Sequence, residues 1–415
     1  MKTPEIHLFS SISDKGSDIM MIKKWLESVT NPHEYNFHLF LENMETKIPR
    51  RRIAILRKVD LEDLIEDNDD GRERFIELNS DEYLFEGTLN CFMNGSGCFT
   101  FIHQEGFSIQ GPLQEGCLHG LVIEKTHQEK RVEAFYYYGR KQGYFREFQW
   151  DNIFLTLGKY QSDRKEYPIW KRCSGNSYLI HISDKDFIYL YPDINSCIAG
   201  SWEKGAMLSG KYGTVEGFDI TNGIRVPRIG CSNNVITVGK YDPSTGNKIS
   251  SNPLLTDPFE DDNVYILPSS IGELAGEGLY AKKLIPSGSL VCLFNGIRKT
   301  KYGLVKRIKP SDEEWSDYRL TLDKSTDLDV PLTSISLESY KATLGHKACH
   351  CFEKKNAKFE NLFHPRFGEI MSILATKDIL PNEEVFVNYN YNLSYSPDWY
   401  LSLWKEFKAK YHSQK

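Results

Sequence analysis

The sequence predicts a mostly β chain with some α structure: stacked β-hairpin repeats, then a compact β-rich domain that closes on a C-terminal helix. Three observations carry this prediction. Glycine-punctuated aromatic and β-branched runs recur at a near-constant interval between residues 81 and 228. A new strand-like run begins at Val264 after a polar, proline-containing stretch. Behind Ser396-Pro397-Asp398, the residues Tyr400, Leu403, Trp404, Phe407 and Tyr411 recur at helical spacing.

Composition bounds the class. With 415 residues, 40% hydrophobic and 26% charged, the chain has material for two or three domains. No stretch approaches the ~18 uncharged apolar residues of a membrane span, and Met1 to Ser10 lacks the basic start and apolar run of a secretory signal. An intracellular protein, nuclear or cytoplasmic, is expected. Nine cysteines lie irregularly from Cys91 to Cys351, which predicts reduced thiols rather than a disulfide framework. Cys349-His350-Cys351 comes nearest to a ligand cluster, but alternating residues on one short segment do not surround a tetrahedral ion, so no metal is expected. A formal net charge of −6 argues against direct nucleic-acid contact. The run Lys47-Ile48-Pro49-Arg50-Arg51-Arg52 suits an import signal or a solvated surface, and the acidic stretch Asp60 to Asp70 partly cancels its field.

In chain order, residues 1–80 form a charged N-terminal extension. It holds one helix, Ser17 to Val29, with Ile19, Ile22, Trp25 and Leu26 in helical spacing. In residues 81–228 the equivalent strand positions are Gly87, Gly111, Ala134, Gly158, His181 and Gly200, at intervals of 24, 23, 24, 23 and 19. Turn glycines follow five and nine residues later, as at Gly116 and Gly120 and at Gly139 and Gly143. Such a period describes hairpins that bury their faces only against neighbours. Residues 229–262 read as a linker with a turn at Asp242-Pro243-Ser244-Thr245-Gly246 and one short strand, Val235 to Val238.

The last domain holds the segments that could carry chemistry. Ala275-Gly276-Glu277-Gly278-Leu279-Tyr280 places two glycines around one acid, a pattern that suits close approach of backbone to a ligand and equally a tight hairpin. Gly345-His346-Lys347-Ala348-Cys349-His350-Cys351-Phe352 is the second segment. The third is Glu384-Val385-Phe386-Val387-Asn388-Tyr389-Asn390-Tyr391, in which alternation puts Phe386 and Asn388 on one face and Val385, Val387, Tyr389 and Tyr391 on the other. Tyrosines so paired suit either core packing or a binding wall.

Taken in this order, with Phe294-Asn295-Gly296, Leu328-Asp329-Val330-Pro331 and His364-Pro365-Arg366-Phe367-Gly368 between them, these segments resemble the SET domain of protein-lysine methyltransferases. The hairpin units resemble MORN repeats, best at Phe85-Glu86-Gly87 and Ile198-Ala199-Gly200. With the linker run Leu254-Leu255-Thr256-Asp257-Pro258, residues 81 to 412 look like a divergent relative of the MORN-containing SET methyltransferases that monomethylate histone H3 and several non-histone proteins. The resemblance implies a pseudoknotted SET fold over residues 263–395, completed by a helix in 396–415. It implies S-adenosylmethionine as cofactor, with Ala275, Gly276, Glu277 and Gly278 at its methionine part. Cys349 and His350 would touch cofactor from a threaded segment, and Trp399 would lie near the adenine. Tyr389 matches the catalytic tyrosine and Tyr391 its companion, and both line a substrate-lysine channel together with Phe294, Thr321 and Phe359. The implied partner is a histone tail, a non-histone protein or both. The chain is expected to be a monomer whose repeats contact a protein or membrane surface.

Several positions depart from the family pattern. Phe294 and Phe359 stand where relatives carry tyrosines that bind the lysine amine or an ordered water, which implies methylation beyond the first methyl. Cys349 replaces an asparagine and Cys351 a serine, and a thiol is a poor hydrogen-bonding substitute for an amide. These changes keep a second function open, a catalytically weak or inactive SET-MORN adaptor. Which of Asp317, Tyr318 or Arg319 touches substrate is left open by a shorter preceding loop.

Overall fold

The structure, a computed structural model, describes residues 15–34, 54–56, 71–126, 130–149, 151–203, 206–230, 249–250, 252–300, 316–394 and 396–412. The basic run at Lys47, the acidic run to Asp70, the turn at Asp242 and the strand expected at Val235 to Val238 lie outside these residues. The chain is mostly β, and it divides into two compact units. The first comprises residues up to Arg172 with Leu179–Ile188 and Val215–Gly230; the second comprises Cys173–Tyr178, Tyr189–Thr214 and the chain from Cys231 onward.

In the first unit, strands from Arg74–Asn79 to Arg164–Arg172 pair antiparallel with their neighbours in chain order, as a hairpin array requires. The first four repeat positions fall in one cross-strand row: Gly87 faces Gly97, Gly97 faces Gly111, Val122 faces Ala134, Ala134 faces Phe145 and Phe145 faces Gly158. The reason for the small residues is steric. A Cβ at Gly97 would sit 2.2 Å from the Phe85 ring, and one at Gly158 would sit 2.7 Å from the Phe145 ring. Each glycine leaves room for an aromatic ring to lie against the neighbouring backbone, and Phe85, Phe99 and Phe145 are buried in one apolar core.

The N-terminal helix spans Lys15–Thr30, close to expectation. Trp25, Leu26 and Val29 are buried, and Trp25 packs edge-on against Trp170 at 5.1 Å. The last carbonyls of a helix lack intrahelical donors, and here buried Arg146 caps one of them and two in the segment that follows. Its guanidinium donates to the carbonyls of Val29 (3.3 Å), Asn31 (2.8 Å) and Glu34 (2.5 Å), while Glu133 balances its charge at 2.6 Å.

In the second unit, Ser196–Glu203 pairs antiparallel with the first part of Ala206–Thr221. Residues 189–214, assigned from the sequence to the repeats, belong to this unit through buried tyrosine hydroxyls. Tyr189 donates to the Phe363 carbonyl at 2.6 Å, and Tyr191 donates to the Asp257 carboxylate at 3.0 Å. Asp257 also caps the short helix Pro258–Asn263, with proline in its first turn. A three-stranded sheet, Leu290–Phe294 beside Gly368–Ala375 beside Ala357–His364, forms the body on which the cavity is built.

If the glycine row is a packing requirement, Gly97→Ala should destabilise the first unit by about 1–3 kcal/mol, the usual cost of overpacking. Chemical denaturation should show this as a lowered midpoint. An unchanged midpoint would show that the Phe85 ring has somewhere else to go.

Candidate active site

The site is assembled by a crossing of two distant segments. Cys349–His350 pairs in parallel with Phe386–Val387, over two residues only. Buried Asn356 clasps this short ladder: its amide donates to the Glu384 carbonyl and accepts from the Phe386 amide, both at 2.8 Å. Glu260, fully buried on the helix Pro258–Asn263, accepts the backbone N–H groups of Leu293 and Leu344, each at 2.9 Å. Burial pushes its carboxyl well above the ordinary range. The strand ending at Phe294 and the segment entering Gly345 thus share one anchor.

These elements enclose a cavity of about 770 Å³. Ala275, Cys349, His350 and Trp399 line it, as do Phe294, Phe359, Tyr389 and Tyr391. The Phe294 and Phe359 rings, from the two outer strands of the sheet, meet edge-to-face at 6.1 Å. Tyr389 donates its hydroxyl to the Ala348 carbonyl at 3.0 Å, and its ring stands 5.6 Å from that of Tyr391. Asp317, Tyr318 and Arg319 all line the same cavity.

Four expected site residues lie off the wall. Thr321 is exposed and donates to the Asp327 carboxylate at 2.9 Å; Leu320, its neighbour on the strand, lines the cavity instead. Gly276, Glu277 and Gly278 build the turn behind Ala275. Gly276 has φ +65°, which favours glycine, with open space where a Cβ would be. Glu277 pairs with buried Lys347 at 2.6 Å. At Gly278 a Cβ would fall 2.2 Å from a carboxylate oxygen of Glu384, so the missing side chain makes room for that acid.

The C-terminal helix spans Asp398–His412. The expected serine cap does not form: the Ser396 hydroxyl has no hydrogen-bond partner, and the Pro397 carbonyl takes the Tyr400 and Leu401 amides. Tyr400 is buried against His350 at 4.8 Å, and Phe407 stacks on Phe352 at 5.2 Å. Leu403, counted from the sequence toward a packed face, and Trp399, expected beside the adenine, are both half-exposed at the cavity wall.

Burial sets the protonation of the polar side chains here. The Tyr389 phenol is raised above its ordinary value by desolvation, then by the nearby Cys349, Tyr391 and Tyr318. Burial likewise raises the Cys349 thiol, whose sulfur lies 3.4 Å from the Glu277 carbonyl. His350 accepts the Tyr389 amide at Nδ1 (3.3 Å), which leaves the proton on Nε2, buried and without a partner. His346, a wall residue the sequence did not single out, donates from Nε2 to the Ile335 carbonyl at 3.2 Å. Its one visible signal was adjacency to the glycine at 345.

Burial lowers both imidazoles to about 4, assisted at His346 by the charge on Lys347. The stability their neutral forms contribute is complete above pH 6.5 and is lost as pH falls toward 4. In an NMR titration both rings should stay neutral from pH 8 down to about 5. A midpoint near 6.5 for either ring contradicts the burial argument.

Residues 276–390 match the family described as SET domain. A similar protein is the "Histone-lysine N-methyltransferase SETD7" of Halocynthia roretzi, 32% identical over 238 residues, which cover 54% of this chain and 59% of that protein. The chain therefore spans less than two thirds of the length of the relative it matches. A solved structure, "crystal structure of KRYPTONITE in complex with mCHH DNA, H3(1-15) peptide and SAH", shares 16% identity over 33% of this chain and 25% of its own, with a TM-score of 0.23. That likeness is too slight to bear on fold or chemistry. Residues 276–390 are thus a SET domain, set in a mostly β chain that ends in a helix.

Proposed function

We propose that the chain is an S-adenosylmethionine-dependent protein-lysine N-methyltransferase, acting on histone tails, non-histone proteins or both. The carrying observation is that one cavity is walled both by Ala275, Cys349, His350 and Trp399 and by Phe294, Phe359, Tyr389 and Tyr391. The proposal assigns catalysis to residues 263–395 with the helix in 396–415, and contact with a protein partner to the hairpin repeats in 81–228. Histone as a substrate follows the name of the similar protein from Halocynthia roretzi.

The residues present fit the cofactor. The volume lies within the range of small-molecule sites. The aromatic walls suit a sulfonium cation. The buried Nε2–H of His350 is a donor left without a partner. When bound, S-adenosylmethionine supplies an electrophilic methyl group to a neutral amine. Ala275, Gly276, Cys349, His350 and Trp399 would hold it.

The chain's own residues then have two tasks. A free lysine is neutral in only about one part in a thousand or less at pH 7, and the rings of Phe294, Phe359, Tyr389 and Tyr391 disfavour its ammonium form by excluding water. Tyr389 orients: its hydroxyl is fixed on the Ala348 carbonyl and, being held protonated by burial, stays a donor. Because a misplacement of about 1 Å costs on the order of 100-fold in rate, Tyr389→Phe should lower transfer of labelled methyl to a histone mixture by roughly 10- to 100-fold. Equal signal from both proteins would remove Tyr389 from its role.

Phe294 and Phe359 offer no hydroxyl to an amine or to a water beside it, so room remains for more than one methyl group. Intact-mass analysis of product peptides should show di- or trimethyl-lysine, whereas single methylation throughout contradicts this. A second reading, a SET-MORN adaptor without catalysis, is favoured by Cys349, a weak S–H donor that faces the Ala275, Glu277 and Lys347 carbonyls. Partner binding without methyl transfer by the native chain would select it.

A further inference from the structure

The loop from Ser269 to Gly276 carries Ile271, Leu274 and Ala275 into the cavity wall, yet nothing in its own sequence holds it down. From Ile271 to Glu277 no residue is buried, and Leu274 is fully exposed. Without core packing, the position of such a loop is decided at its base. There the Ser269 amide closes the loop on the Gly276 carbonyl at 2.8 Å.

Beneath that closure sits Glu384, 4% exposed. Its carboxylate accepts from the Ser269 hydroxyl (2.6 Å), the Ser270 amide (2.8 Å), the Ser270 hydroxyl (2.6 Å) and the Tyr280 hydroxyl (3.1 Å). One of its oxygens fills the space a side chain at Gly278 would need, 2.2 Å from the built Cβ. Glu384 also lies two positions before the ladder residues Phe386–Val387, and Tyr389 follows five residues on. One carboxylate therefore ties the exposed loop to the segment that bears Tyr389.

The geometry points to Glu384 as a positioning residue: its carboxylate latches the Ser269–Gly276 loop over Gly278 and thereby sets the affinity of the cavity for its nucleoside-sulfur cofactor. This rests on the methyltransferase reading and names a residue that touches no substrate. A glutamine at 384 keeps the shape but turns one of two acceptor oxygens into an N–H, which then faces a donor.

The test is calorimetric titration of the full chain with S-adenosylhomocysteine, with folding checked by near-ultraviolet circular dichroism. Glu384→Gln should weaken binding about tenfold or more, raise KM for S-adenosylmethionine in parallel, leave KM for a lysine peptide unchanged, and speed exchange of the Ser270 amide. Gly278→Ala should lose affinity in the native background but add little to Glu384→Ala, where the added methyl group has room. Affinity of Glu384→Gln within twofold of native, or additive losses in the Gly278 cycle, overturns the latch alone. A native chain that binds no S-adenosylhomocysteine overturns the methyltransferase reading, and the proposal with it.

Discussion

Two residues of parallel ladder, Cys349–His350 against Phe386–Val387, hold the whole site together. A ladder that short would not persist alone, since each backbone hydrogen bond contributes only about 1 kcal/mol net. Asn356, a few residues past the first strand, makes it rigid by spending its buried amide on the backbone of the second, at Glu384 and Phe386. The Tyr389 amide then reaches His350, and the tyrosine hydroxyl reaches Ala348. Remove the crossing and the cavity loses its wall from both sequence segments at once.

Apart from Asp317 and Arg319 on one stretch of wall, the polar side chains of the cavity are held neutral. Burial keeps the phenol of Tyr389, the imidazoles of His346 and His350 and the thiol of Cys349 in their neutral forms. The charged groups nearest the turn are paired off, Glu277 with Lys347. Such a site offers donors, acceptors and aromatic faces, which suits the proposed reaction's demand for position and desolvation.

Local features were legible in the sequence. The turn glycines five and nine residues past Gly111 and Ala134, at Gly116, Gly120, Gly139 and Gly143, all adopt positive φ. The aromatic pair Tyr389 and Tyr391 lines one cavity, although the strand itself ends at Val387 and Asn390 between them has φ +51°. What stayed hidden was long-range and polar. Glu260, Asn356 and Glu384 are buried through bonds to residues tens of positions away, and no period marks such residues. For the same reason the packing need at Gly278 was invisible, because the carboxylate that fills its space lies 106 residues further on. Thr321 was misplaced by one position, which on a strand reverses the face.

The central claim is that cofactor sulfur and lysine amine meet inside this one cavity. A crystal structure of the chain with S-adenosylhomocysteine and a lysine-containing histone peptide tests it most directly. The account predicts the thioether beside Ala275 and Cys349, and the amine among Phe294, Phe359 and Tyr389. Either ligand seated outside that cavity, or the two unable to occupy it together, would contradict it.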